Sequence, residues 1–534
     1  MSLLHVRDLS LKIGDTDILH DVDLSLEGGE ILGIIGESGS GKSMTALSIM
    51  QLLPAGSTTT GSILLNGESL LDMDERHMCS LRGNEVGMIF QEPMTALNPV
   101  KTIGEQVAET VLVHSNVSRS EAMKIARGAL DRVELPAEQF PLDRYPHELS
   151  GGQRQRVVIA LAIALRPKLL IADEPTTALD VTTQAQILTL LQKLVDEDGM
   201  GLILITHDLA VVADMADHIA IMQKGVVVEA GETVQVFQDM KHPYSKTLFA
   251  ASSHVPVRDE NRVIDLEKKV LSVSGVVREY QGKRTSLFRR PVPFRAVDNV
   301  SFDIFKGENV GLVGESGCGK STLTRAILGL NPVQGGEISL LDIRVAPGMP
   351  KSMRAGVQVV FQDPYGSFNP RWKVERLVAE PFHLMDSVPQ NRRERVAEAL
   401  ENVGMSAADM DKYIHEFSGG QRQRIAIARA LLLRPDLIVL DEAVSALDVS
   451  IRAQILDLLA ELSDRLGLSY LFISHDLTVV RAITDRVLVM KDGKIVEEGK
   501  SEEVFRSPQH PYTRELLAAA PDIEKALQAR QERA

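Results

Sequence analysis

Residues 30–43 read EILGIIGESGSGKS, and residues 307–321 read GENVGLVGESGCGKS. Each is an apolar run that breaks into a glycine-rich loop and closes on Lys-Ser. A run apolar at every position reads as a strand buried on both faces, as in a parallel sheet. The loop then reads as the turn into a helix. Gly36, Glu37, Ser38, Gly39, Ser40, Gly41, Lys42 and Ser43 match the phosphate-loop pattern, as do Gly314, Glu315, Ser316, Gly317, Cys318, Gly319, Lys320 and Ser321. The glycines let backbone N–H groups converge on phosphate oxygens. Lys42 and Lys320 would reach the β- and γ-phosphates, and Ser43 and Ser321 would offer a hydroxyl to Mg²⁺. The following helix adds its positive N-terminus. Two such loops, each between strand and helix, exclude a chance match.

The doubling extends along the chain. Gly36 and Gly314 are 278 residues apart, and Gln91 and Gln362 are 271 apart. Ser150 and Ser418, Asp173 and Asp441, and His207 and His475 all stand 268 apart, as do His242-Pro243-Tyr244 and His510-Pro511-Tyr512. A constant offset over the later half of each copy indicates duplication. The drift before it is a loop shortening in the second copy. The copies are expected at 1–250 and 269–518, with a polar linker at 251–268 and a tail at 519–534.

Composition narrows the class. A net charge of −15 over 534 residues argues against nucleic acid as the main partner. Two cysteines, Cys79 and Cys318, exclude a disulfide framework or a four-cysteine metal site. No secretory leader is visible. The longest clean apolar run, Val157–Leu165, is far short of the roughly 20 residues a bilayer needs. A soluble or peripheral protein is expected.

The remaining polar residues fall at strand ends, where such folds bind ligands. Asp173-Glu174 closes KLLIADEP and Asp441-Glu442 closes DLIVLDEA. The Asp would hold hydrated Mg²⁺ and the Glu would polarise an attacking water. His207 and His475 end GLILITHD and SYLFISHD and would bind the γ-phosphate. Gln91 and Gln362, in MIFQEPMTALNP and VVFQDPYGSFNP, would sense γ-phosphate and Mg²⁺. The phrase LSGGQRQR (149–156) recurs as FSGGQRQR (417–424). A serine and bare glycine N–H groups at a helix start make a second anion cradle, from Ser150, Gly151, Gly152 and Gln153, and from Ser418, Gly419, Gly420 and Gln421. It lacks a lysine and a metal ligand. Its simplest use is to close over the γ-phosphate held by the other copy, so that two copies packed head-to-tail form two composite ATP sites. The bland reading, a glycine-rich helix cap, needs no recurrence.

Together these motifs resemble the ABC transporter ATPase subunits over nearly the entire chain. GESGSGKS and GESGCGKS look like Walker A, LLIADEP and LIVLDEA like Walker B, and LSGGQ and FSGGQ like the family signature. Ala178-Leu179-Asp180 and Ala446-Leu447-Asp448 look like D-loops, so Asp180 and Asp448 would link the two sites. The resemblance implies an α/β fold: two tandem P-loop domains, head-to-tail, each with a parallel-sheet core, an antiparallel β region and a helical subdomain. FQEPMTALNP, FQDPYGSFNP, HPYSKTL and HPYTREL resemble the oligopeptide/dipeptide/nickel importer branch. Fusion of two ATPases in one chain is similar to Yej-type peptide importers, associated with microcin C-like peptides, and to glutathione importer ATPases. Compact length and a short linker favour the Yej type. The resemblance implies an ATPase with ATP and Mg²⁺, two transmembrane permease subunits, a periplasmic peptide-binding protein delivering cargo, and a place on the cytoplasmic face of the bacterial inner membrane.

Departures from the family pattern carry further expectations. Tyr280 fits the place of the adenine-stacking aromatic in copy two, where copy one has Ile13. Ala443 replaces a proline and Phe417 a leucine, yet no reacting group is lost, so both sites are expected to hydrolyse ATP. Some relatives bind an iron–sulfur centre through cysteines near the HPY motif. Cys79 and Cys318 lie elsewhere, so none is expected. Cys318 fits its loop as a small residue, although N–H groups and Lys320 would favour its thiolate and ATP-protected maleimide labelling. Gln281–Arg295 holds five basic residues and no acid, a solvated loop or a contact for anionic headgroups or the membrane partner. The rival classes, a ribosome-acting translation factor or a DNA-repair ATPase, would want basic surface and a long linker, or zinc cysteines and coiled-coil insertions.

Overall fold

The computed structural model describes residues 2–91, 96–177, 179–259, 262–281, 293–363 and 366–533. Two lobes repeat one architecture. Each centres on a six-stranded sheet. In the first lobe its order is Val226–Glu232, His218–Gln223, Ile31–Ile35, Gly201–Ile205, Leu169–Asp173 and Val86–Ile89. All neighbours are parallel except the first pair. The second lobe repeats this with Val357–Val360, Leu437–Asp441, Ser469–Ile473, Asn309–Val313, Arg486–Lys491 and Lys494–Lys500, read from the opposite edge.

The apolar strands are buried throughout because each side chain row has its own core. Side chains alternate across a strand. Leu170, Ala172, Leu202 and Leu204 face the helices, whereas Leu169, Ile171, Ile203 and Ile205 face a second, antiparallel sheet. That sheet orders Thr16–Leu26, Leu4–Ile13, Ser57–Leu65 and Glu68–Ser69. Its counterpart orders Phe294–Lys306, Asp265–Tyr280, Gly335–Leu340 and Ile343–Arg344. The helical part contributes Ile103–His114 and Arg119–Arg132 in the first lobe, and Val374–Val378 and Arg392–Asn402 in the second. Among the described residues no helix is long and apolar enough to cross a membrane.

The lobes grip each other through their ends. Helix Pro243–Ser252 packs on Val449–Leu466 of the other lobe, and helix Pro511–Ala519 packs on Val181–Asp198. The segment expected as a linker does more than connect. Strand Asp265–Tyr280 already begins inside it. His254 Nε2 lies 2.7 Å from Asp457, and Arg258 Nη2 and Arg262 Nη2 reach the two oxygens of Asp485 at 2.6 and 3.2 Å. The tail repeats this on the first lobe. Helix Ile523–Arg533 lies on Leu209–Met215, Ala526 is buried in the first lobe's core, and Arg530 Nη1 stands 3.6 Å from Asp217. Arg262 and Arg530 are 268 residues apart, as are Asp485 and Asp217. Connector and tail are therefore one repeated arm, each crossing to the opposite lobe.

Candidate functional site

Each phosphate loop is shaped by its glycines and its lysine. Gly36 and Gly314 leave their strands at φ 152° and 150°. A Cβ on either would stand 2.2 Å from a carbonyl oxygen, of Met222 and Met490 respectively, so no side chain fits. Lys42 Nζ donates to Gly36 O and Glu37 O at 2.7 and 2.9 Å, and Lys320 Nζ to Gly314 O and Glu315 O at 2.6 and 2.9 Å. Both lysines are buried at the start of a helix, Lys42–Ile49 or Lys320–Ile327. Burial pulls the Lys42 ammonium below its ordinary pKa, against the attraction of Glu174, of Asp448 from the other lobe, and of Asp173.

The acids stand where the strands end. Ser43 bonds the Asp173 carboxyl, which burial pushes up. Asp441 is likewise raised by burial and by neighbouring Glu442. Glu174 and Glu442 adopt φ 48° and 52°, a left-handed conformation costly for a side-chain-bearing residue. Their backbone N–H groups are pinned to Ile205 O and Ile473 O, each at 2.9 Å, at the tips of the strands that carry the histidines. His207 Nδ1 lies 3.4 Å from Glu174 Oε1, and His475 Nδ1 lies 3.4 Å from Glu442 Oε1. Burial drives Glu174 upward, but bonds from His207, Thr177 and Gln91 outweigh it and bring its pKa to about 2. Thr177 Oγ1 and Gln91 Nε2 reach Glu174 Oε2 at 2.9 and 3.0 Å. Gln362 differs: its Nε2 reaches Ser445 Oγ at 3.4 Å, and Ser445 donates to the Glu442 carbonyl.

The lobes exchange residues at these loops. Ser38 N–H donates to Asp448 Oδ1 at 2.7 Å, and Ser316 N–H to Asp180 Oδ2 at 3.3 Å. Ser450 of the second lobe bonds the Glu37 carboxylate. Ser150 and Ser418 cap helices Gly151–Ile163 and Gly419–Leu431. Each hydroxyl accepts from the N–H of Gln153 or Gln421, whose side chain reaches back, so the helix-cap geometry is real. The hydroxyl proton remains available for an anion. Gly152 is required by close approach, since a Cβ there would meet Thr183 Cγ2 at 2.3 Å. Leu149 and Phe417, and likewise Ala443, are buried packing residues.

Some expectations change. The Cys318 thiol is buried, and burial raises its pKa despite Lys320, whose Nζ is 3.8 Å from Sγ. The expected thiolate is therefore not favoured, because desolvation outweighs the nearby charge. Tyr280 stands at its strand's end with its hydroxyl on Thr322, next to Ser321, and Arg278 over its ring at 4.7 Å. Most of the basic stretch 281–295 lies outside the described residues, as does Ala178. Arg295 is committed to Glu279 and Asp298 at 2.8 and 3.0 Å. Motif reading missed Thr177, Ser450 and the two HPY tyrosines. Tyr244 and Tyr512 hydroxyls accept from Glu37 N and Glu315 N, each at 3.0 Å, contacts spanning about 200 residues that no spacing signals.

The site suits a triphosphate with a divalent cation. Asp173 Oδ1 is buried without a hydrogen-bond partner among the described residues, an open acceptor beside Ser43 and Lys42. Residues 19–177 and 297–445 each match the ABC transporter family model, and 228–276 and 496–534 match the oligopeptide/dipeptide transporter C-terminal region. The chain is similar to the glutathione import ATP-binding protein GsiA of Escherichia coli K12, 47% identical with 96% of this chain and 87% of that protein covered. GsiA of Shigella sonnei Ss046 matches with the same identity and coverage. Among solved structures, cbiO1 of Clostridium perfringens aligns at 28% identity and TM-score 0.39 over 45% of this chain and 92% of its own. The chain belongs to the ABC transporter ATP-binding family, as an ATPase of the oligopeptide/dipeptide importer branch.

Proposed function

We propose that the chain is the ATP-hydrolysing subunit of a bacterial peptide importer, with two composite sites between its lobes. The observation that carries this is reciprocal: Asp448 bonds the phosphate loop of the first lobe while Asp180 bonds that of the second. Such crossing supports a reading in which each signature serine would face the opposite loop. At the first site Gly36–Ser43 would cradle the phosphates, with Ser418, Gly419, Gly420 and Gln421 closing over the γ-phosphate. At the second, Gly314–Ser321 pairs with Ser150, Gly151, Gly152 and Gln153. Ser43, Gln91 and Asp173, and Ser321, Gln362 and Asp441, would hold Mg²⁺, which offsets the charge on the β- and γ-phosphates when bound.

Glu174 and Glu442 accept the proton of the attacking water, and His207 and His475 hold the γ-phosphate in line. Tyr280 stacks on adenine at the second site, while Ile13 offers only an apolar edge at the first. ATP favours the closed arrangement because its γ-phosphate touches both lobes. Hydrolysis removes that differential contact and the lobes part. Two transmembrane permease subunits would receive the motion beside the glutamines. Phe90 and Phe361 are exposed there, and a cleft of about 850 Å³ lined by Phe361, Gln362, Trp372, Glu380 and Arg429 opens next to Glu442. A periplasmic binding protein would deliver the cargo, with the engine on the cytoplasmic face of the inner membrane.

The cargo is a short peptide. Similarity to glutathione-import relatives supports a tripeptide of the glutathione class, and the fused, compact chain also suits oligopeptides of the microcin C type. Proteoliposomes holding this chain with its permease, supplied with the binding protein, should show ATP-dependent uptake of labelled peptide. Uptake that persists in a Glu174→Gln/Glu442→Gln chain would refute the engine. Uptake of nickel but of no peptide would refute the cargo.

A further inference from the structure

Glu37 and Ser38 sit where contacts from both lobes converge. The Glu37 N–H donates to the Tyr244 hydroxyl at 3.0 Å and its carbonyl accepts from Lys42 at 2.9 Å. The next N–H, of Ser38, goes to Asp448 of the other lobe at 2.7 Å. The second lobe repeats this with Tyr512, Lys320 and Asp180 on Glu315 and Ser316. Asp448 immediately precedes helix Val449–Leu466, and Asp180 precedes Val181–Asp198.

The HPY motif is built to bring the hydroxyl there. His242 Nδ1 accepts from Tyr244 N–H at 3.2 Å and caps the helix. Pro243 takes the first helical position, where no N–H is needed. Glu229 holds the backbone of Lys241 and His242 at 2.7 and 3.3 Å. His510, Pro511 and Glu497 do the same for Tyr512. The body of each helix lies on the D-loop helix of the opposite lobe. One short helix thus touches its own phosphate loop through a hydroxyl and, along its side, the helix that delivers the opposing aspartate. Burial pushes the Tyr244 hydroxyl up to about 12 and Tyr512 higher still, so both stay neutral acceptors.

We propose that Tyr244 and Tyr512 are positioning residues for ATP: each fixes the first peptide of its own phosphate loop while its helix is seated on the other lobe, linking nucleotide affinity to lobe contact. This rests on reading 36–43 and 314–321 as the ATP loops. Losing one ordinary hydrogen bond corresponds to about a fivefold change in an equilibrium.

The test is equilibrium titration of ATP into full-length Glu174→Gln/Glu442→Gln protein, where nucleotide is bound without turnover. Two sites should appear. Tyr244→Phe should weaken one about fivefold and spare the other, Tyr512→Phe should weaken only the other, and the melting temperature should hold because the ring stays packed. In an Asp448→Ala chain the Tyr244→Phe effect should shrink, since the two hold adjacent N–H groups of one loop. Unchanged affinities, equal weakening of both sites by either variant, or full additivity with Asp448→Ala would overturn the proposal. Binding that survives Lys42→Ala/Lys320→Ala would instead refute the reading of the loops.

Discussion

The two lobes hold their glutamates differently. Glu174 is locked by three side chains, His207, Thr177 and Gln91. Glu442 has His475 beside it, while Gln362 and Ser445 bond elsewhere, and a cleft opens at its side. The backbone at both is the same left-handed turn on the same strand tip. Duplication therefore preserved the strained geometry that aims the carboxylate, and substitution changed what restrains it. The threonine at 177 stands where the second copy has Ser445, and its hydroxyl goes to the Glu174 carboxylate where that of Ser445 goes to the Glu442 carbonyl. The lobe contact is unequal too. Ser450 bonds Glu37, whereas its counterpart Thr182 has a buried hydroxyl without a partner among the described residues.

The largest effect should come from the glutamates themselves. Glu174→Gln and Glu442→Gln should each cut ATP turnover at their own site by about a hundredfold or more. Retained turnover in either variant would make that site non-catalytic and end the symmetry. Next come the arms. Arg262 is nearly buried between Asp485, Asp464 and Gly307 O, while Arg530 meets the half-exposed Asp217. Arg262→Ala should destabilise the protein by about 2 kcal/mol and Arg530→Ala by less than about 1 kcal/mol, read by urea unfolding. Equal losses would show the arms to be equivalent. A smaller change should follow Thr177→Ala, which frees Glu174: in a Glu442→Gln background, turnover should rise about fivefold. Ser445→Ala, in Glu174→Gln, should leave it unchanged. The smallest is Ile13→Tyr, which should tighten ATP at the first site about threefold by adding a stacking face, measured by titration. No gain would place the adenine away from residue 13.

Local chemistry was legible in the sequence where it is carried by contiguous residues. The phosphate loops, the strands ending in Asp-Glu and His-Asp, and the serine caps all fold as their patterns dictate, because burial on both faces and helix capping are local demands. Contacts across the lobes were legible only in outline. The D-loop aspartates were expected to link the sites, but the tyrosine hydroxyls on Glu37 and Glu315 depend on tertiary placement. The connector read as polar and weakly patterned because its role is carried by a few scattered side chains, His254, Arg258 and Arg262, meeting aspartates far along the chain. Cys318 sits as a small buried residue of its loop, and only the secondary thiolate reading fails: proximity to Lys320 is visible in sequence, and the desolvation that opposes it is not.

The central claim is that each triphosphate is gripped by both lobes at once. A structure of the Glu174→Gln/Glu442→Gln protein with ATP tests it most directly. It should hold two nucleotides, one γ-phosphate within hydrogen-bonding distance of Lys42 and Ser418, the other of Lys320 and Ser150. Two loaded phosphate loops with both signature serines turned to solvent would contradict it.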